Sequence, residues 1–245
     1  MAKYAWTTLL TTTDYLQSVL LLNASLKRVG SKYPLVIIVS DDIAMEVIPH
    51  LEVKNCLYYI VPNLQRMYTE RLFSIDMLMK FYSFELTEYD KVCYLDGDIL
   101  VLKNCDFVFN YRAPAAKYLG WDNHRPIHTS KERGQLAGEM MVLKPGTFSM
   151  DYFFKSERDL TTYWDESVLQ ENFGIQQVTN ITLTDSNHFY HAHTTGSNNK
   201  YWERYNLYSE KDLDDFLNDY SVNSLWSKDF GLNEMHNDQI TEQED

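Results

Sequence analysis

Two carboxylates one residue apart, Asp96 and Asp98, stand in the run VCYLDGDILVL between two apolar stretches. The glycine between them lets the backbone turn so that both side chains point the same way, which would let them converge on one hard cation. The competing reading is a hairpin, because Asp-Gly between strand formers is the strongest short-range signal for a type I′ turn. The flanks weigh against the hairpin. Val92 to Leu95 and Ile99 to Leu102 are apolar throughout, whereas a hairpin with one solvated face alternates. A continuous apolar run is what a central parallel strand buried on both faces looks like. Acids ending such a strand lie on the carboxyl edge of the sheet, where open α/β folds bind ligands. Asp212-Leu213-Asp214 has the same spacing, but it lies in KDLDDFLNDY, whose pattern reads as a solvated helix.

Other residues could share that chemistry. A carboxylate pair with one imidazole suits manganese, which is borderline between oxygen-loving magnesium and nitrogen-loving zinc. His188, His191 and His193 compete for the third place. The glycine three residues after His193 favours that one, although a lone histidine is more often a satisfied polar residue than a ligand. Lys80 lies between Met79 and Phe81, and a cation in apolar surroundings needs an anion. Either a phosphate or an i,i+4 pair with Asp76 would serve. Asp165 is a site carboxylate or simply a helix N-cap.

The elements that must carry these residues follow from periodicity. AWTTLL reads as a strand, and Asp14 occupies an N-cap position before a helix carrying Leu16, Val19, Leu20, Asn23 and Leu26 and closed by Gly30. YPLVIIVSDD is the next buried strand. Strand, helix, strand over about 35 residues is the βαβ unit of a parallel sheet. Ile43 to Leu51 is an expected helix, CLYYIV a strand, and Ile75 to Leu86 a helix with Leu78, Met79, Tyr82 and Leu86 on one face. GQLAGEMMVLKPG reads as a strand, FSMDYFFKSERDL as a helix, and Glu166 to Asn172 as a short helix with Asp165 at its start. Beyond it the chain is loop-dominated and rich in His, Asn, Thr and Tyr. The expectation is a single domain over residues 1–226 and an acidic, poorly ordered tail over 227–245.

Composition narrows the function classes. The 245 residues, 44% of them hydrophobic, suit one large α/β domain. A formal net charge of -13 repels nucleic acid and anionic membranes, so a phosphorylated substrate must be neutralised by a few placed cations or a metal. No run of about 18 apolar residues is present to span a bilayer, and MAKYAWTTLL lacks the design of a secretory signal. A cytoplasmic protein is therefore expected. Cys56, Cys93 and Cys105 have neither the spacing nor the even count of a disulfide or zinc framework.

In this order along the chain, TTLLTTTDY, RLFSIDMLMKFYSFELTEYDKVCYLDGDILVL, YWDESVLQ and HTTGSNNKYW resemble the motifs of glycosyltransferase family 8, the glycogenin and galactosyltransferase-like enzymes. The resemblance covers roughly residues 4–202. It implies an α/β, Rossmann-like GT-A fold, with a mostly parallel central sheet flanked by helices, and a retaining transfer of a hexose from a UDP-sugar to an acceptor hydroxyl. Glucose and galactose are the first donors implied and N-acetylglucosamine the next.

By the same resemblance Leu10, Thr12 and Tyr15 hold the uridine, and Asp96, Asp98 and His193 hold Mn2+, or Mg2+ in its place, with Gly97 against the nucleotide. Arg71, Lys80, Gly196 and Lys200 serve the phosphates, while Asp122, Asp165 and Glu166 face the donor sugar. Lys80, Asp165 and Glu166 are the catalytic candidates. The implied partners are the UDP-sugar and a glycan, protein or small-molecule acceptor, with no nucleic acid; a homodimer is left open. The pattern has departures. Ala137-Gly138-Glu139 stands where an Asn-Ser-Gly-like turn is usual, Glu166 replaces an amide, and Tyr201 stands in place of proline in a loop one residue longer. The segment between Asp165 and His193 is much shorter than in glycogenin, where the acceptor tyrosine lies, so self-glucosylation is not expected. The alternatives on a similar fold are a UDP-sugar hydrolase and an inactive nucleotide-sugar or glycan-binding module.

Overall fold

The computed structural model describes residues 2–67, 73–118, 136–152, 168, 172–173, 178–181, 189–191 and 201–219. Among them β1 (Tyr4–Leu10), α1 (Leu16–Arg28), β2 (Leu35–Ser40), α2 (Ala44–Val53) and β3 (Leu57–Val61) wind the first parallel units. α3 (Phe73–Leu78) runs into a 3-10 stretch, Met79–Glu85, and then come β4 (Lys91–Leu95), β5 (Ile99–Val101), β6 (Ala115–Tyr118) and β7 (Leu136–Leu143). Short strands β8 (Thr179–Asn180) and β9 (Phe189–His191) and helices α4 (Tyr201–Arg204) and α5 (Glu210–Asp219) complete the described elements.

The main sheet has the order β3-β2-β1-β4-β7-β6-β8. β3, β2, β1 and β4 run parallel, and β7 enters antiparallel between β4 and β6. This is the mostly parallel sheet expected. Its central strands read as apolar runs because both faces are covered: every residue of β2 is buried. Trp6, Leu10, Val19, Leu22, Val47 and Leu51 fill one layer. Ala5, Ile38, Phe81, Phe84, Tyr94 and Met141 fill the other. Cys56, Cys93 and Cys105 are buried free thiols, and no helix among the described residues is long and apolar enough to cross a membrane.

Three local expectations are corrected. Asp14 is not an N-cap: Thr13–Tyr15 forms a 3-10 turn, and Tyr15 precedes α1 without a side-chain cap. The Tyr15 N–H is already satisfied by the Thr12 carbonyl at 3.2 Å, so the turn takes the place of the cap. Ile75 to Leu86 is not one helix either. Met79 through Phe84 are all buried, and a segment enclosed on every side has no solvated face to impose a 3.6-residue period. Finally, α5 is amphipathic, because Leu213 and Phe216 are buried against Leu21 and Trp202.

Candidate active site

Topology places a crevice before any side chain is considered. From β1 the chain moves outward to β2 and β3, then returns to lay β4 on the opposite side of β1. The order of strands therefore reverses between β1 and β4, and in open α/β sheets ligands bind beyond the carboxyl ends at such a reversal. The segment after β1 carries Thr12 and Tyr15, and the segment after β4 is Asp96-Gly97-Asp98.

That second segment is a tight turn, closed by the Ile99 N–H on the Asp96 carbonyl at 3.2 Å, but it is not a hairpin. β4 pairs with β1 and β7, whereas β5 leaves the main sheet and pairs with β9. The turn thus diverts the chain from one sheet into another. Gly97 is needed for close approach: a Cβ there would lie 3.3 Å from Val19 Cγ2 and 3.5 Å from the Leu9 carbonyl oxygen. Gly97→Ala is expected to cost about 1 kcal/mol by overpacking, read by thermal melting.

Lys80 reaches the turn from below. Its side chain is 2% exposed, and Nζ lies 3.3 Å from Asp96 Oδ1, 3.1 Å from the Gly138 carbonyl and 4.9 Å from the Tyr94 ring centroid. Among the described residues the anion beside Lys80 is thus the half-buried Asp96, which the sequence did not point to as its partner, with a carbonyl and an aromatic face adding to it. Ala137-Gly138-Glu139 belongs to β7 and lies where its register with β6 shifts. That irregularity presents the Gly138 carbonyl to Lys80, while the Glu139 carbonyl accepts the Asp96 N–H at 3.0 Å.

The donor set fits a hard divalent ion as far as the described residues reach. Asp96 and Asp98 are both half-buried at the edge of the sheet, and oxygen donors suit manganese or magnesium. No group of three or more metal-ligating side chains converges among the described residues; His193, the expected third ligand, lies outside them, as do Arg71, Asp122, Asp165, Glu166, Gly196 and Lys200. Beneath the turn Thr8 is fully buried, and its hydroxyl has no hydrogen-bond partner among the described residues.

The expected uridine residues lie at the same edge. Leu10 is wholly buried, so its main chain is what it can offer a nucleotide. Thr12 is extended and half-buried. Tyr15 is 42% exposed, with its ring edge-on to Trp202 at 5.5 Å. The rival acid pair has a structural role. Asp212 accepts the Tyr208 N–H at 3.1 Å while its own N–H is capped by Ser209, and Asp214 pairs with Arg28 at 2.9 Å. Sequence reasoning missed Ser18, whose hydroxyl donates to the Gly97 carbonyl at 2.6 Å. Its signal was a serine on the apolar face of α1, beside Val19 and Leu22.

Comparison with known proteins agrees with this fold. The sequence profile of glycosyl transferase family 8 matches residues 7–146. An uncharacterized protein of Acanthamoeba polyphaga mimivirus is 31% identical over 158 residues, covering 59% of this chain and 56% of that protein. Galactinol synthase 2 of Arabidopsis thaliana is 33% identical over 113 residues, covering 44% and 34%. The chain thus spans about half or less of the length of these relatives. In fold it is similar to the galactosyltransferase LgtC, solved in complex with donor and acceptor sugar analogs, with a TM-score of 0.56 at 12% identity over 89% of this chain and 96% of that one.

Proposed function

The chain belongs to glycosyl transferase family 8, and on that premise we propose that it moves a hexose from a UDP-sugar to an acceptor hydroxyl, with a divalent ion and with retention at the anomeric carbon. Glucose and galactose are the first donors to consider, then N-acetylglucosamine. The observation that carries this reading is the acid turn at the strand-order reversal between β1 and β4.

The barrier lies in breaking the bond between the anomeric carbon and the phosphate oxygen, as negative charge gathers on the departing UDP. Bound by Asp96, Asp98 and His193, a manganese or magnesium ion would supply Lewis-acid stabilisation of that charge. Tyr15 and Thr12, with the main chain of Leu10, border the place for the base. Lys80 pairs with Asp96, giving it a fixed direction, and adds positive charge beneath the diphosphate. Arg71, Gly196 and Lys200 are assigned to the phosphates. Asp122, Asp165 and Glu166 are assigned to the sugar, orienting its hydroxyls beside the oxocarbenium-like carbon. A glycan, a protein or a small molecule would supply the acceptor hydroxyl.

The test is a panel of UDP-sugars with Mn2+, following UDP release with and without EDTA and with and without candidate acceptors. UDP release from one or two donors, abolished by EDTA and accelerated by an acceptor, is expected. Release that no acceptor accelerates, yielding free sugar alone, would convert the assignment to a hydrolase. No release from any donor would leave a binding module.

A further inference from the structure

The acid turn has a weak side. Up to Asp96 the chain is held by the β4–β7 ladder and the Glu139 carbonyl, but beyond it the backbone leaves the main sheet. There α1 takes over. The Ser18 hydroxyl donates to the Gly97 carbonyl at 2.6 Å, and two turns further along the helix Ser25 Oγ accepts the Val101 N–H at 3.0 Å. Both serines are fully buried, so one face of α1 carries two polar anchors, one at the turn and one at the end of β5.

Behind Ser18 stands Tyr201, the first residue of α4. Its side chain is 2% exposed, its ring packs edge-on against Trp202 at 5.3 Å, and its hydroxyl lies 3.4 Å from Ser18 Oγ. Burial raises the Tyr201 phenol well above its ordinary range, against a smaller lowering by the Ser18 hydrogen bond, so it stays protonated. Proton counting then orders the set. Ser18 has a single proton, and a carbonyl has none to give, so the 2.6 Å contact to Gly97 uses it. The longer contact, in which the same Ser18 hydroxyl faces the Tyr201 oxygen at 3.4 Å, shares that proton weakly and ties α4 to the turn.

We propose that Ser18 and Tyr201 are positioning residues that fix the direction of the Asp96-Gly97-Asp98 turn and thereby set its affinity for a divalent ion. The inference rests on the metal-dependent reading of the site. Neither hydroxyl touches substrate; both act through the Gly97 carbonyl and the backbone that aims the two carboxylates. Partners of this kind, one shell out from the metal, are where affinity is tuned.

The full chain is titrated with Mn2+ at fixed UDP in a calorimeter, as wild type, Ser18→Ala, Ser18→Thr and Tyr201→Phe, alongside thermal melting of each. Ser18→Ala should raise the half-saturating Mn2+ concentration about tenfold, and Tyr201→Phe about threefold, in keeping with a longer hydrogen bond. UDP binding capacity at saturating Mn2+ should be unchanged, and Ser18→Thr should recover most of the loss. Half-saturation within about twofold of wild type in both Ser18→Ala and Tyr201→Phe overturns the proposal, as does a fall in melting temperature and capacity without a shift in half-saturation. Should Ser18→Ala fail to fold, Tyr201→Phe decides alone by the same criterion. Wild type without any Mn2+-dependent UDP affinity would overturn the metal reading itself, and this inference with it.

Discussion

Asp98→Asn is expected to lower UDP-sugar turnover about a thousandfold, because a metal stabilising charge in the transition state contributes several kcal/mol and each 1.36 kcal/mol is a factor of ten. Asparagine keeps the shape and volume of the side chain but removes the charge that attracts the ion. The turn should survive the change, since the Ile99 N–H to Asp96 carbonyl bond and the Ser18 to Gly97 bond are made by other groups. Melting temperature should therefore stay near that of wild type, while Mn2+-dependent UDP binding is lost. Asp212→Asn and Asp214→Asn, which alter the other Asp-x-Asp, should leave turnover unchanged: their carboxylates serve an N-terminal turn and an exposed pair with Arg28. Retention of more than about a tenth of wild-type turnover by Asp98→Asn would mean that the charge stabilisation has another source.

Why the acids were readable and their supports were not is a matter of distance along the chain. The flanks of Asp96 and Asp98 are apolar because β4 and β5 are buried, and burial on both faces leaves its mark in consecutive residues. Gly30 was equally legible, since its φ of 69° closes α1 in the left-handed region. The distinction between the two Asp-x-Asp sequences also lay in the local pattern, although Leu213 of the second proved buried rather than solvated.

Nothing local marks the partner of Lys80. Helical spacing offered Asp76, but the segment tightens into a 3-10 stretch at Met79, and the ammonium turns toward a carboxylate and a β7 carbonyl brought close only by the sheet. The antiparallel insertion of β7 was hidden for the same reason: an apolar strand in the middle of a sheet reads the same in either direction. Ser18 and Tyr201 meet across almost the whole described chain, where periodicity carries no information.

Lys80→Met should be the most destabilising change at the site and also one of the most damaging to activity. Methionine keeps an unbranched stem in the enclosed space but removes the ammonium, leaving the Asp96 carboxylate facing the Gly138 carbonyl without the cation that lies within 3.3 Å of both. Breaking a wholly buried pair by removing one partner costs about 3–5 kcal/mol. Asp96 is 27% exposed, so solvent screens part of the loss and about 2 kcal/mol is the expected cost. For a chain of this size that is a fall in melting temperature of about 4–8 °C. Turnover should drop about a hundredfold as Asp96 loses its fixed direction and the diphosphate loses a nearby positive charge. Lys80→Arg should not rescue it, because a planar guanidinium does not fit a space shaped around an ammonium. The deciding variant is the double change Lys80→Met with Asp96→Asn. A neutral amide needs no buried cation, so the double variant should melt above Lys80→Met alone while remaining inactive, a coupling that a double-mutant cycle measures directly. If Lys80→Met melts with wild type, or if the double variant melts lower still, then the ammonium is not what stabilises the Asp96 charge, and its role must be sought at the phosphates instead.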